Sequence, residues 1–450
     1  MISGKTIICL ASGWNYHPTS KHHVMRQLSQ HNDVIWVNWH CSRRPQLQWS
    51  DLRHMVSRLS QIQQGAQQAS DAITVLTPWQ IPLPESRAAR TFNTKSVCRA
   101  IKKVLRRLPN NQPIQLWSFA PDVADLVGQF NEEAVIYYCV DAFSEFAGYN
   151  RELIERRERE LIDKSSVVIT TSTPLYEDKR SMHPHVHLVE HGVDHSHLSK
   201  AMLESTSVPA DIANLPRPIF GFVGLISEWV DLELIAGLAR QRPGASIVMI
   251  GPKSGPSRGS KSGSSDRIAD SFASLPNVHW LGPRDHQTLP NYLKAFDVGL
   301  IPFCHTALTH CVNPIKLHEY LAAGVPTVST SMPAVKPVHG SVWLADDAIS
   351  TAHCCEEALQ HNSLVKRLAR SQSMLAHSWP RRLETISTIV ESAMSSAHSP
   401  HPTYLPHSPH CQRPSNVHET VLGAIDTATV NTTTVDTDVA QHEPEPTTVA

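Results

Sequence analysis

Lys316 and Glu319 stand three residues apart in the stretch 313–330, NPIKLHEYLAAGVPTVST. That spacing is close to one helical turn, so the two side chains share a face. Asn313-Pro314 is a turn dipeptide that can start a helix. Ile315, Leu317, Leu321 and Ala322 then recur at roughly helical spacing. Gly324 supplies the left-handed residue that stops the helix, and 325–329 reads as the next buried strand. A lysine near a helix N-terminus adds positive charge where backbone N–H groups already attract phosphate. A glutamate one turn later accepts hydrogen bonds from a diol. Together they suit a nucleotide sugar, with Lys316 on the diphosphate and Glu319 on the ribose. The same spacing also fits a plain amphipathic helix carrying a solvated ion pair, which is worth little.

Asp141 is the second candidate. It ends the apolar run 134–140, AVIYYCV, which reads as a strand. At the carboxyl end of a parallel sheet it faces the ligand crevice. There an aspartate can take a proton from an acceptor hydroxyl, or orient it. The structural alternative is a turn or helix-capping aspartate. Histidines are a third candidate. The chain has 27, and His183, His185, His187, His191, His195 and His197 crowd one segment. Such a cluster could bind metal. With no cysteine or extra carboxylate framing it, it reads as a histidine-rich surface, and no metal site is assigned.

Two α/β halves must position these residues. A strand at 6–11, a loop at 12–18, a helix holding His23, Met25 and Leu28, and a strand at 33–38 open a doubly wound domain. The loop has one glycine, Gly13, and no GxGxxG fingerprint. Strands at 72–77, 113–118 and 166–172 and a charged helix at 150–164 continue it. The helix 99–108 sets Ile101, Val104, Leu105 and Leu108 on one face, flanked by Lys102, Lys103, Arg106 and Arg107. It packs on the sheet or docks on an anionic leaflet. A second half follows, with strands at 218–224, 246–251, 277–282, 297–302 and 341–345. Residues 252–265 are a low-complexity loop. From about 397 the chain is rich in Pro, His, Thr and Ser and is expected to be disordered.

The chain's 450 residues suffice for two domains. A net charge of −1 gives no field that points to nucleic acid. Nine scattered cysteines without a CxxC pair suit a reduced, cytoplasmic protein. The first apolar run is too short for a signal peptide, and no run of about 18 apolar residues spans a membrane.

The run 313–330 resembles the nucleotide-sugar motif of GT-B glycosyltransferases of the group 1 type. It is most like the bacterial polysaccharide and teichuronic-acid-type transferases. HLVEHGVD at 187–194 is similar to the family's P-N-G-V-D segment, with Glu190 and His191 replacing proline and asparagine. NVHWLG at 277–282 and the SW run at 378 match family segments too, and YYCVDAFSEF resembles the polysaccharide-type relatives, which carry an aspartate where Asp141 stands. The resemblance implies a GT-B fold, with two Rossmann-like domains facing a cleft and a C-terminal helix crossing back to the first. The expected divisions are 1–195, a linker 196–216, 217–375, the crossing helix 376–395 and a tail 396–450. It implies Asp141 as the catalytic residue and Gly224, Arg284, Asn313, Lys316 and Glu319 as donor-binding residues. Relatives often place an arginine and a lysine after the position of Gly224, where this chain has Glu228 and Asp231, so Lys316 carries more of the phosphate charge. They also carry a second glutamate eight positions before Glu319, where this chain has Cys311.

The activity so implied is sugar transfer from a UDP- or GDP-sugar to a hydroxyl of a glycan or lipid-linked acceptor in cell-surface polysaccharide synthesis. It is a hexosyltransferase type needing no metal and no cofactor, cytoplasmic or peripheral on the inner membrane face, with no nucleic-acid partner. The alternatives are a nucleotide-sugar epimerase on the same fold and an inactive nucleotide-sugar binder.

Overall fold

A computed structural model describes residues 1–15, 18–42, 62, 65–108, 112–253 and 275–397. The first half is built on eight strands: β1 Thr6–Ala11, β2 Asp33–Asn38, β3 Gln67–Ser70, β4 Ile73–Leu76, β5 Ile114–Ser118, β6 Ala134–Cys139, β7 Val167–Thr170 and β8 Val186–Leu188. They run in the order β3-β4-β2-β1-β5-β6-β7-β8. All pairs are parallel except β3 with β4. Buried on both faces, parallel strands read as continuous apolar runs, as TIICLA of β1 and AVIYYC of β6 do. β3 gave no such signal, because its sequence is QQAS and its residues are mostly exposed.

The second half has six strands, all parallel: β9 Ile219–Val223, β10 Ser246–Ile250, β11 Val278–Gly282, β12 Val298–Ile301, β13 Thr327–Ser329 and β14 Val342–Leu344. Their order is β11-β10-β9-β12-β13-β14. Each sheet reverses its winding once, beside β1 in the first and β9 in the second. Ligands of open α/β sheets bind at the carboxyl ends of strands near such a reversal.

The packing between layers is tight at β9. A Cβ on Gly221 would lie 2.1 Å from the ring of Phe296, which is fully buried. Gly221→Ala should therefore destabilise the chain by about 1–3 kcal/mol through overpacking. Denaturant unfolding checks this, and an unchanged midpoint would show that the ring has room to move.

Helices cover both faces of the first sheet. The helix Arg87–Leu105 buries Val97, Ile101 and Val104 on one face, with Lys102 and Lys103 exposed. It starts twelve residues before the expected 99, capped by Ser86, because its first turns are polar and carry little apolar periodicity. The other face is covered from far along the chain. The helix Trp379–Ala397 lays Trp379, Leu383, Ile386 and Val390 against Ile7, Cys9 and the first helix, Ser20–Leu28. The backbone N–H of Ile2 donates to Ser387 Oγ at 3.1 Å, tying the two ends of that layer. This is the expected crossing helix, and it runs through Ala397.

Residues 196–216, expected as a linker, form short helices, and Leu198, Ala201 and Ile212 are buried in the second half's core. The low-complexity loop lies outside the described residues from 254 on, and the tail lies outside them from 398. Among the described residues, no helix is long and apolar enough to cross a membrane.

Candidate active site

The stretch around Lys316 folds as its sequence requires. The helix is Ile315–Ala322, with Pro314 at its N-cap and no side chain capping its first turn. Leu317, Tyr320 and Leu321 are buried in the second core, and the Tyr320 hydroxyl accepts from Val223 N–H at 2.8 Å. Gly324 takes φ +74° after the helix, and β13 follows. Lys316 Nζ donates to Glu319 Oε2 at 2.6 Å. Their side chains are 14% and 9% exposed, so the pair is buried rather than solvated. Taking two charges out of water offsets most of their attraction, so the pair is weak as a stabilising device.

A cavity of about 630 Å³ opens between the two sheets, and the residues expected from the sequence all line it. Asp141 comes from the first half, and Gly224, Arg284, Asn313, Lys316 and Glu319 come from the second. The uncapped start of the motif helix borders the same space.

Three of these residues carry fixed structural bonds as well. The N–H of Gly224 donates to the Ile250 carbonyl at 2.9 Å, so this amide is committed within the sheet edge. A Cβ there would come within 2.9 Å of the Phe222 ring. Arg284 donates to Asp211 Oδ2 and to the Tyr292 hydroxyl, both at 2.7 Å, which holds its guanidinium against the second half. Asn313 is buried, and its Nδ2 donates to the Thr171 carbonyl at 2.9 Å. Ser172 Oγ donates to the Cys311 carbonyl at 2.6 Å beside it. These two bonds join the end of β7 to the segment entering the motif helix. Cys311 itself packs toward the first half's core.

Asp141 stands just past the end of β6, with Val140 between them, as expected. The capping alternative fails. The short helix after it, Phe143–Glu145, has Ala142 at its N-cap and no side-chain cap bond. Burial pushes the Asp141 carboxyl up to about 7, and the Lys21 ammonium opposes that rise. Lys21 also lines the cavity, from the second position of the first helix, and donates to Ser12 Oγ. Sequence reasoning did not single it out, since no spacing links 21 to 141. Only the adjacency of β1, β5 and β6 brings them together. At the cavity's edge, Phe146 and Trp229 meet edge to face at 6.5 Å, one from each half.

The histidines 183–197 do not form one site. His191 and His197 are buried, against the surface expectation, and His191 lines the cavity. A His197 ring nitrogen meets the His286 carbonyl, and His195 meets Ser371. Among the described residues one His/carboxylate group has metal-like spacing: Glu190, His318 and His377. The Arg382 guanidinium already sits among them, 2.7 Å from His377 Nδ1 and 3.4 Å from Glu190 Oε2.

Two Rossmann-like halves around one cleft, with a terminal helix returning to the first, define a GT-B protein. Comparison with known proteins agrees. Residues 217–361 match the family model of the glycosyl transferases group 1. A teichuronic acid biosynthesis glycosyltransferase of Bacillus subtilis (strain 168) is 26% identical over 286 residues, covering 58% of this chain and 69% of that one. Among solved structures, a sucrose-phosphate synthase from Thermosynechococcus elongatus superposes with a TM-score of 0.62 at 16% identity, over 87% of this chain and 100% of that one. HepE of Anabaena, solved with UDP-glucose, superposes with a TM-score of 0.57 at 13% identity, over 88% and 99%. Over residues 217–361 the chain is thus similar to the group 1 glycosyltransferases, and its two halves have the GT-B fold.

Proposed function

We propose that the chain transfers a hexosyl unit from a nucleotide diphosphate sugar, a UDP- or GDP-sugar, to a hydroxyl of a glycan or lipid-linked acceptor. The process served is cell-surface polysaccharide synthesis, in keeping with the Bacillus subtilis relative. The observation that carries this reading is the convergence of Asp141 with Lys316, Glu319 and the uncapped helix start on one cavity. Lys316 meets the diphosphate, and the helix start adds positive charge where the departing diphosphate develops negative charge. Glu319, released from Lys316, accepts from the ribose hydroxyls. Gly224 lets the backbone pass close to the phosphates. Arg284, braced by Asp211, borders the base, and Asn313 holds the helix start in place. The bond from the sugar C1 to the diphosphate oxygen breaks, C1 joins the acceptor oxygen, and the hydroxyl proton passes to Asp141. This division of labour assigns no metal or cofactor to the chemistry.

The expected setting is the cytoplasm or the inner membrane face. The exposed Lys102 and Lys103 on the helix Arg87–Leu105, with Arg106 and Arg107 after it, suit contact with an anionic leaflet. The donor is tested by thermal shift with UDP, GDP and their sugars. A ligand that binds only the folded chain raises the melting temperature, by about 2.7 kcal/mol of stability at 100 times its Kd. No shift with any nucleotide at millimolar concentration would contradict a nucleotide-sugar site.

A further inference from the structure

Three cations line the cavity among the described residues: Lys21, Arg284 and Lys316. Two are already paired. Arg284 holds Asp211 at 2.7 Å, and Lys316 holds Glu319 at 2.6 Å. Lys21 differs. Its one hydrogen-bond partner is the neutral Ser12 hydroxyl, and it enters no ion pair among the described residues. An ammonium has three N–H donors, so two remain for whatever enters the cavity. Lys21 is half-buried, and burial lowers its ammonium's pKa; an anion entering the cavity would supply the opposite charge that favours the protonated form. Asp141 lies near enough for its carboxylate and this ammonium to act on each other, yet the two form no ion pair. Lys21 stands in the first half, on the Asp141 side of the cleft, whereas Lys316 and the uncapped helix start stand across it.

We propose that Lys21 is the anion contact of an acceptor subsite, and that the acceptor carries an oxyanion next to its reacting hydroxyl. The hydroxyl faces Asp141 and the oxyanion faces Lys21, so one ammonium sits between two negative groups. A sugar carboxylate and a phosphate share this chemistry. Phe146 and Trp229, which line the same cavity, leave an aromatic wall for the apolar face of the acceptor ring. The inference rests on reading Asp141 as the residue that meets the acceptor hydroxyl.

Calorimetric titration of the full chain tests it. With UDP saturating the donor side, glucuronate, glucose 1-phosphate and glucose are compared. At least one anionic sugar should bind about ten-fold or more tightly than glucose, the worth of a charged hydrogen bond. A lead for glucuronate identifies a carboxylate as the group recognised, and a lead for glucose 1-phosphate identifies a phosphate. Lys21→Met should erase the advantage, Lys21→Arg should keep part of it, and both should bind UDP as the parent does. Equal binding of all three sugars would overturn the proposal, as would an advantage that survives Lys21→Met. Weaker UDP binding in Lys21→Met would also overturn it, by moving Lys21 to the diphosphate. Should UDP fail to bind while the anion preference persists without it, the donor assignment falls and the Lys21 subsite stands. The wild-type comparison holds even if a variant folds poorly.

Discussion

Asp141→Asn should lower turnover by about 10²–10⁴-fold, the usual contribution of a positioned base. Asparagine keeps the size and much of the hydrogen bonding but cannot accept the proton. The carboxylate caps no helix, since the N-cap of the following helix is Ala142 without a side-chain bond. Its loss should therefore cost little stability. The direction of the pKa sharpens this point. Burial raises the Asp141 carboxyl from 3.8 to about 7, so the folded state holds the proton more tightly than the unfolded chain does. Ionising it inside the fold therefore costs stability, beginning above 3.8 and complete once pH has passed about 7. Asp141→Asn should then melt no lower than the parent at pH 8. The parent's rate should rise with pH through about 7 as the base ionises, and the residual activity of the variant should lack that limb. Near-normal turnover in Asp141→Asn would remove the catalytic assignment.

Lys316→Ala carries the second large effect. It should weaken binding of the nucleoside diphosphate by about 1.5–3 kcal/mol, which is roughly 10–100-fold in Kd. This lysine is paired with Glu319 at 2.6 Å, both largely buried. A diphosphate competes for the ammonium and frees the glutamate for a diol, so the pair is set to exchange partners. Removing the lysine also strands a buried carboxylate, and that lowers stability in its own right. Titrations must therefore be run well below the variant's melting temperature. The double variant Lys316→Ala with Glu319→Gln should recover stability but not affinity. Unchanged nucleotide affinity in Lys316→Ala would take Lys316 out of the phosphate site.

Local pattern explains what was legible in the sequence. The motif helix, its glycine stop and the strand after it lie in one continuous run, so spacing alone could order them. Asp141 could be placed because it follows a fully buried strand. The solvated reading of the Lys316–Glu319 pair failed because spacing along one helix does not show how much of that face is covered. Lys21 stayed hidden because only the adjacency of β1, β5 and β6 in one sheet brings it to Asp141, and the Asn313 bond to Thr171 because it spans the two halves. β3 was missed because a polar edge strand carries no apolar alternation. His191 and His197 were misread because an imidazole with a partner or an enclosed site can be buried, which composition does not reveal.

If the cleft breaks a sugar–diphosphate bond between Lys316 on one side and Asp141 on the other, the products should show it. The most direct measurement incubates the purified chain with radiolabelled UDP- and GDP-sugars and resolves the products. Label should appear on an added acceptor, or free sugar should be released slowly with the nucleoside diphosphate, and both should be lost in Asp141→Asn. An isomeric nucleotide sugar would make the chain an epimerase, and unchanged donor alongside measurable nucleotide binding would make it a binder. Either result would contradict sugar transfer.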